Sequence, residues 1–199
     1  MEAFESFVAL ALEREGFVVS EAVKFPVQLQ TRKAAYKEMQ THGYEVDLVA
    51  ARADRLVLAT VKSFFGSRGV VADHVTGETT NERGRKLYLL LNDRTIRDQV
   101  IAEAAKRYGY KKRDVQLRLY VGRFAAPTKR THETRIRAWA AKQRAGSGPI
   151  EVFGLDEVVG KVRAAAAHKQ YRDNPVLVTM KVLEAAGLLN RDLPEATPS

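Results

Sequence analysis

The spacing of apolar residues is most regular at the start of the chain. Phe4, Phe7, Val8, Leu10, Ala11 and Leu12 make a broad apolar face, which predicts a helix over residues 3–15 that Gly16 ends. Phe17, Val18 and Val19 predict a short strand. Residues 20–43 mix polar and basic groups with Pro26 and read as irregular structure with at most one short helix. The stretches 44–52 and 55–65 are rich in Val, Leu and aromatic residues. With Ala53 and Asp54 between them they predict a β-hairpin, although Ala-Asp is not a favoured turn pair. Residues 66–84 carry four glycines and few apolar groups, which reads as a long loop.

Further on, residues 86–91 form an apolar run of unassigned type. A helix is predicted over 95–108, closed by Gly109, and a strand over 115–121. A basic helix (131–144), a short strand (150–153) and a helix (155–169) follow. The last helix, 175–186, has Asn174 as N-cap, Pro175 in its first turn and Gly187 after its end. That order predicts an α/β fold, a mixed sheet flanked by helices. The expected division is a core over residues 1–153, a C-terminal helical extension over 154–191 and a flexible tail.

Composition narrows this only a little. A chain of 199 residues suits one substantial core, and 45% hydrophobic with 29% charged residues is too apolar for disorder. The absence of cysteine excludes disulfides and thiolate zinc sites. Acidic Glu2 and Glu5 do not suit a secretory leader, and no apolar run reaches bilayer length, so a cytoplasmic protein is expected. The net charge of +9 favours polyanionic partners, DNA among them. A phosphate-binding Gly-Lys-Ser/Thr loop, a Gly-x-Ser-x-Gly elbow and a His-Glu-x-x-His pair are all absent.

The hairpin concentrates the chemistry. If Ala53-Asp54 is a two-residue turn, Arg52 faces Arg55, Asp47 faces Thr60 and Glu45 faces Lys62. Alternation then puts Glu45, Asp47, Thr60 and Lys62 on one face, with opposed Cβ atoms about 5 Å apart. Such a patch suits a phosphate, or a phosphate with a divalent cation. Glu45 and Lys62 also read simply as a cross-strand ion pair, and that is the preferred role for Glu45.

Asp47 on the first strand and Lys62 on the second, with the segment Ala59-Thr60-Val61-Lys62-Ser63 between and after them, resemble the core of the PD-(D/E)XK nuclease superfamily. The similarity is greatest to its archaeal Holliday-junction resolvase branch. Glu5, twelve residues before Phe17, matches the family's upstream helical acid. The resemblance covers about residues 1–65 and implies a restriction endonuclease-like fold and Mg²⁺- (or Mn²⁺-) dependent hydrolysis of DNA phosphodiesters. Asp47, Glu5 and Glu45 become the implied metal ligands; Lys62 stabilises the scissile phosphate, and Thr60 at most holds a water or phosphate oxygen. Thr60 departs from the family, which has Glu or Asp there.

Two functional expectations follow: a metal-dependent endonuclease, or a protein of the same fold that binds nucleic acid without cutting it. Arg68, Arg83 and Arg85 of the long loop, the cluster Lys111, Lys112 and Arg113, and Lys129, Arg130, Arg135 and Arg137 of the basic helix are the expected phosphate contacts. Their bland reading is a solvated surface. Trp139, Ile136 and Ala140 read as core, and His42, His132 and His168 have no partners at metal spacing. A third expectation is an adaptor whose C-terminal helices contact a partner or form a homodimer.

Overall fold

One five-stranded sheet, in the order β1-β2-β3-β4-β5, organises the computed structural model, which describes residues 2–30, 38–126, 129–167 and 174–189. Helix α1 (Ala3–Arg14) leads into β1 (Val18–Gln30), which pairs antiparallel with β2 (Met39–Arg52). Strand β3 (Arg55–Lys62) closes the hairpin with β2. The chain then crosses over through α2 (Ala72–Thr76), α3 (Glu82–Lys86), α4 (Leu89–Asn92) and α5 (Arg94–Tyr108) to β4 (Val115–Val121), parallel to β3. Helix α6 (Lys129–Ala140) leads to β5 (Glu151–Gly154), parallel to β4, and α7 (Leu155–Ala166) and α8 (Pro175–Ala185) follow. This is the expected α/β architecture, a mixed sheet flanked by helices.

The long β1–β2 ribbon corrects the irregular reading of 20–43. Residues 20–30 and 39–43 are strand, while 31–37 lie outside the described residues. Pro26 is tolerated because β1 is an edge, where a missing N–H breaks no second ladder. The edge is also capped: the Gln99 amide accepts from the Gln28 N–H (2.6 Å) and donates to the Gln28 carbonyl (3.1 Å). Of 66–84, read as loop, the five-residue α2 and the first three residues of the five-residue α3 are helix, and the unassigned run 86–91 contributes the end of α3 and the start of α4.

The sheet has apolar layers on both faces. Leu56, Leu58, Leu117 and Leu119 join Ile96, Val100, Ile101 and Ile136 from α5 and α6 on one face. Val57, Ala59 and Tyr120 join Phe4, Val8 and Leu12 of α1 and Val158 of α7 on the other. Strand β4 is buried at every position, as a central parallel strand covered on both sides must be. The boundary expected after residue 153 is not a break in packing, since α7 lies against α1. Leu10, Val162, Leu177 and Met180 then tie α8 to both helices. No helix among the described residues is long and apolar enough to cross a membrane.

One local event repositions the candidate site. Val19 and Ala50, partners in the β1–β2 ladder, belong to the α1 side of the sheet. Val23, Phe25, Tyr44 and Val46 belong to the opposite side, although parity along a regular strand would keep Val19 with Val23 and Ala50 with Val46. The ribbon therefore turns over between them. At that point the ladder skips Ala22 and Asp47, and Ala22 has φ 49°, a conformation that costs a residue with a Cβ. Ala22→Gly is therefore expected to stabilise the fold by about 0.5–1 kcal/mol, left-handed strain relieved less the added chain entropy. A urea melt checks it: an unchanged or lower midpoint would show that Ala22 is not strained.

Candidate functional site

The hairpin register is the expected one as far as it runs: Arg52 pairs with Arg55, and the ladder continues to Leu48 opposite Ala59. It stops at the next pair, Asp47 and Thr60. There the Asp47 side chain replaces the strand's own backbone, its Oδ2 accepting the Val61 N–H at 2.7 Å and the Lys62 Nζ at 3.2 Å. Asp47 thus lies where both of β2's ladders lapse. Both partners are largely buried, with side-chain exposures of 18% for Lys62 and 23% for Asp47. The predicted meeting of Asp47 and Lys62 is present.

The described residues contain two non-glycine positive-φ residues, and both flank this pair. Ala22 stands across β1 from Asp47, and Phe64 (φ 48°) follows Lys62 by two residues. Strained backbone of this kind persists only where surrounding structure enforces it, and it gathers at functional sites.

The other expected members of the patch are placed differently. Glu45 pairs with Lys24, its ladder partner, at 3.6 Å, so the expected Glu45–Lys62 contact is overturned by the turning of the ribbon. Glu5 is half-buried, and its Oε2 accepts the Glu2 N–H at 3.0 Å, within the first turn of α1. Thr60 is 6% exposed and pairs through its backbone with Leu119 of β4. The acid that α1 does bring to the hairpin is Glu2, whose Oε2 accepts from Ser63 Oγ at 2.8 Å. Tyr44 packs nearby and accepts the Leu90 N–H at 3.0 Å. Burial pushes its phenol up to about 12, against the lowering effect of that bond, so it stays neutral at working pH.

The basic residues divide. Arg68 and Arg83 are exposed at the carboxyl end of β3, with no ion pair among the described residues, and Arg85 is half-buried beside them. Lys111, Lys112 and Arg113 are exposed at the amino end of β4. Six residues of strand separate the Leu56–Val115 pair from the Lys62–Val121 pair, which puts that cluster about 20 Å from Lys62. Arg135 is engaged internally by Asp73 (2.5 Å) and Glu78 (3.5 Å), and Arg137 by Glu133 (2.9 Å), Glu157 (2.6 Å) and the Val152 carbonyl (2.5 Å). These two arginines tie α6 to α2, β5 and α7. The side chains of Lys129 and Arg130 and all of His168 lie outside the described residues. His132 Nδ1 accepts the Ala72 N–H at 3.2 Å, and Ile136 and Ala140 are core as expected.

A second cluster has no counterpart in the sequence reading. Arg118 of β4 is 5% exposed between Glu15 (2.7 Å) and Glu151 (2.9 Å), with the Tyr120 hydroxyl at 3.2 Å. Lys161 of α7 also pairs with Glu15. The guanidinium lies over the Phe153 and Phe17 rings, at 5.3 and 5.6 Å. Every charge here has a partner, and the cluster ties α1, β4, β5 and α7 together.

The donor set decides how a metal would fit at the hairpin. Mg²⁺ is held by one or two carboxylates with waters and phosphate oxygens, in tight octahedral geometry. Here Glu45 and Glu5 are engaged elsewhere, Thr60 is neutral, and Lys62 already donates to Asp47. No group of three or more His, Cys, Asp or Glu positioned for a metal occurs among the described residues. Of the acids that the resemblance implies, Asp47 is the one that meets Lys62 at the hairpin end. What the hairpin end presents is a cation, Lys62, held at a carboxylate.

No family model matches the chain, and no curated protein matches it. Among solved structures, the crystal structure of a protein of unknown function, AF1548, is similar over 93% of this chain and 77% of that one. Its TM-score is 0.38 and the identity 13%.

Proposed function

We propose that this protein binds DNA through the Asp47–Lys62 end of its hairpin, contacting backbone phosphates without a catalytic metal centre of its own. The observation that carries this reading is the strained, splayed hairpin end. It holds Lys62 in a largely buried ion pair, two residues before Phe64, which lines one cleft with the exposed Arg68 and Arg83. The net charge of +9 supplies the long-range attraction. Lys62 is a point charge for one phosphate oxygen, with Asp47 setting its position in the absence of DNA. In the sheet's own terms, the site lies at the carboxyl end of β3, where open α/β sheets place ligands.

The experiment is salt-dependent DNA binding by fluorescence anisotropy, in EDTA and in Mg²⁺. Affinity that falls steeply with salt in EDTA, and that Mg²⁺ does not raise, is the expected result. Lys62→Gln should weaken binding by about three- to tenfold and shallow the salt slope by about one phosphate contact. Wild-type protein that binds no DNA, or a Lys62→Gln variant that binds like wild type, overturns the proposal.

The second reading, a metal-dependent endonuclease, is favoured by one observation: Asp47 and Lys62 meet as the resemblance implies. Cleavage of linear, circular or branched DNA in Mg²⁺ or Mn²⁺, abolished by Asp47→Ala, would establish it. Thr60→Glu puts a second carboxylate where the resemblance expects one. Under the DNA-binding reading it is expected to weaken binding at least several-fold, since it sets a negative charge against the phosphate. A gain of cleavage from nothing would instead mark a nuclease site that had lost its acid.

A further inference from the structure

Loop 66–71, α2 and α3 wall a cleft of about 270 Å³ beside the hairpin end. It begins at Phe64, two residues and so about 7 Å of chain from Lys62. Its lining has two chemistries. Arg68 and Arg83 are exposed and without an ion pair among the described residues, whereas Phe64, His74 and the half-exposed Leu87 offer flat or apolar surface.

The shape of the cleft depends on a missing side chain. A Cβ on Gly84 would lie 2.7 Å from the His74 ring, so glycine lets that ring lie directly on the backbone of α3. Phe64, for its part, lines the cleft from a left-handed backbone conformation (φ 48°). Bulk is thus removed at one wall and an aromatic group is held in strain at another. A duplex offers phosphates to a protein surface, but its bases are stacked and their faces hidden. Apolar and ring surface between two exposed arginines suits a nucleotide whose base has left the stack, since base faces stack on such groups while cations track the backbone. The volume is at the small end of ligand clefts, the scale of one nucleotide rather than several.

We propose that this cleft takes a single unpaired nucleotide of the bound DNA. Its base lies against His74, Leu87 and Phe64, and Arg68 and Arg83 contact its flanking phosphates. The inference rests on the DNA-binding reading and deepens it: the preferred substrate is DNA with an unpaired or extruded nucleotide, such as a bulge, a junction or a frayed end.

The test compares a duplex of about 20 base pairs with the same duplex carrying one unpaired nucleotide, by anisotropy at fixed salt. Wild-type protein should bind the second about tenfold or more tightly, on the scale of one stacked base. Leu87→Ser removes exposed apolar surface without touching the core and should bring that ratio down several-fold. Arg83→Ser should weaken the unpaired substrate more than the duplex. A 2-aminopurine at the unpaired position provides a second readout, its fluorescence changing on binding to wild-type protein and less on binding to Leu87→Ser. Equal affinity for the two DNAs, or an Arg83→Ser loss equal on both, overturns the cleft and leaves the hairpin reading standing. Failure of wild-type protein to bind either DNA removes the DNA reading itself.

Discussion

Asp47→Asn is expected to tighten DNA binding in EDTA, by about tenfold, rather than weaken it. The asparagine oxygen can still accept the Val61 N–H that Asp47 accepts at 2.7 Å, so the splayed hairpin end keeps its anchor. The change removes a negative charge from beside the site where a phosphate would approach Lys62. Unit charges about 6 Å apart at an effective dielectric of about 20 interact by roughly 3 kcal/mol. Salt screening and the loss of Lys62's positioning partner cut that to about 1–2 kcal/mol, or about tenfold in affinity. A metal-dependent enzyme makes the opposite demand on the same residue. Its binding or cleavage would be stimulated by Mg²⁺, and Asp47→Asn would abolish the stimulation. Anisotropy titrations in EDTA and in Mg²⁺, with thermal melts to show that the variant folds, separate the two. Weaker binding in EDTA would sink the view of Asp47 as a local competitor for Lys62.

How far the sequence foretold this site depends on which physical signal each element carried. The hairpin register was legible because a two-residue turn leaves no slack: once Arg52 faces Arg55, every pair down to Leu48 and Ala59 is determined. Helix α5 was legible at its end, where Gly109 takes φ 77°. Its N-cap, Asp93, whose Oδ1 accepts the Ile96 N–H at 3.1 Å, adds a second signal that the sequence reading did not use. Strand β1 is legible at its start, Val18 and Val19, but not over 20–30, although Val23, Phe25, Val27 and Leu29 alternate, because Pro26 and its polar neighbours belong to an exposed edge and resemble a loop. Helices α2 and α3 are too short to show a period. The position of Glu45 failed for a different reason. Parity assumes a regular strand, and the left-handed Ala22 that turns the ribbon over is an alanine, which gives no sequence signal. Glu2 was passed over because its bond to Ser63 depends on where α1 docks, a tertiary fact. The strand 115–121 was read correctly, but its Gln116, Arg118 and Tyr120 face is covered by α1 and α7 and buried, where alternation suggests an exposed polar face.

That buried face is where the largest loss of stability is expected. Arg118→Met should destabilise the fold by about 3–5 kcal/mol, the cost of removing one member of a buried, hydrogen-bonded charge network. Methionine fills much of the volume, so the loss is electrostatic: Glu151 loses its 2.9 Å partner and Glu15 its 2.7 Å one, leaving Lys161 alone against Glu15. For a protein of ordinary stability this is a fifth or more of the total, visible as a large fall in urea midpoint. The pH dependence follows from Glu15. Burial alone would raise its pKa, but the bonds from Lys161 and Arg118 more than offset this and hold it below the ordinary 4.5. A carboxylate with a depressed folded-state pKa contributes stability that is present above its unfolded value and is lost as pH falls through the folded one. Wild-type stability should therefore fall as pH drops below about 4.5, and Arg118→Met should show less of that fall because half of Glu15's pairing has already gone. Removing both charges supplies the decisive comparison. If the network is one coupled unit, Arg118→Met with Glu15→Gln should be less destabilised than the two single losses added together. Simple additivity would mean that Arg118 is held by packing between the Phe17 and Phe153 rings rather than by its acids.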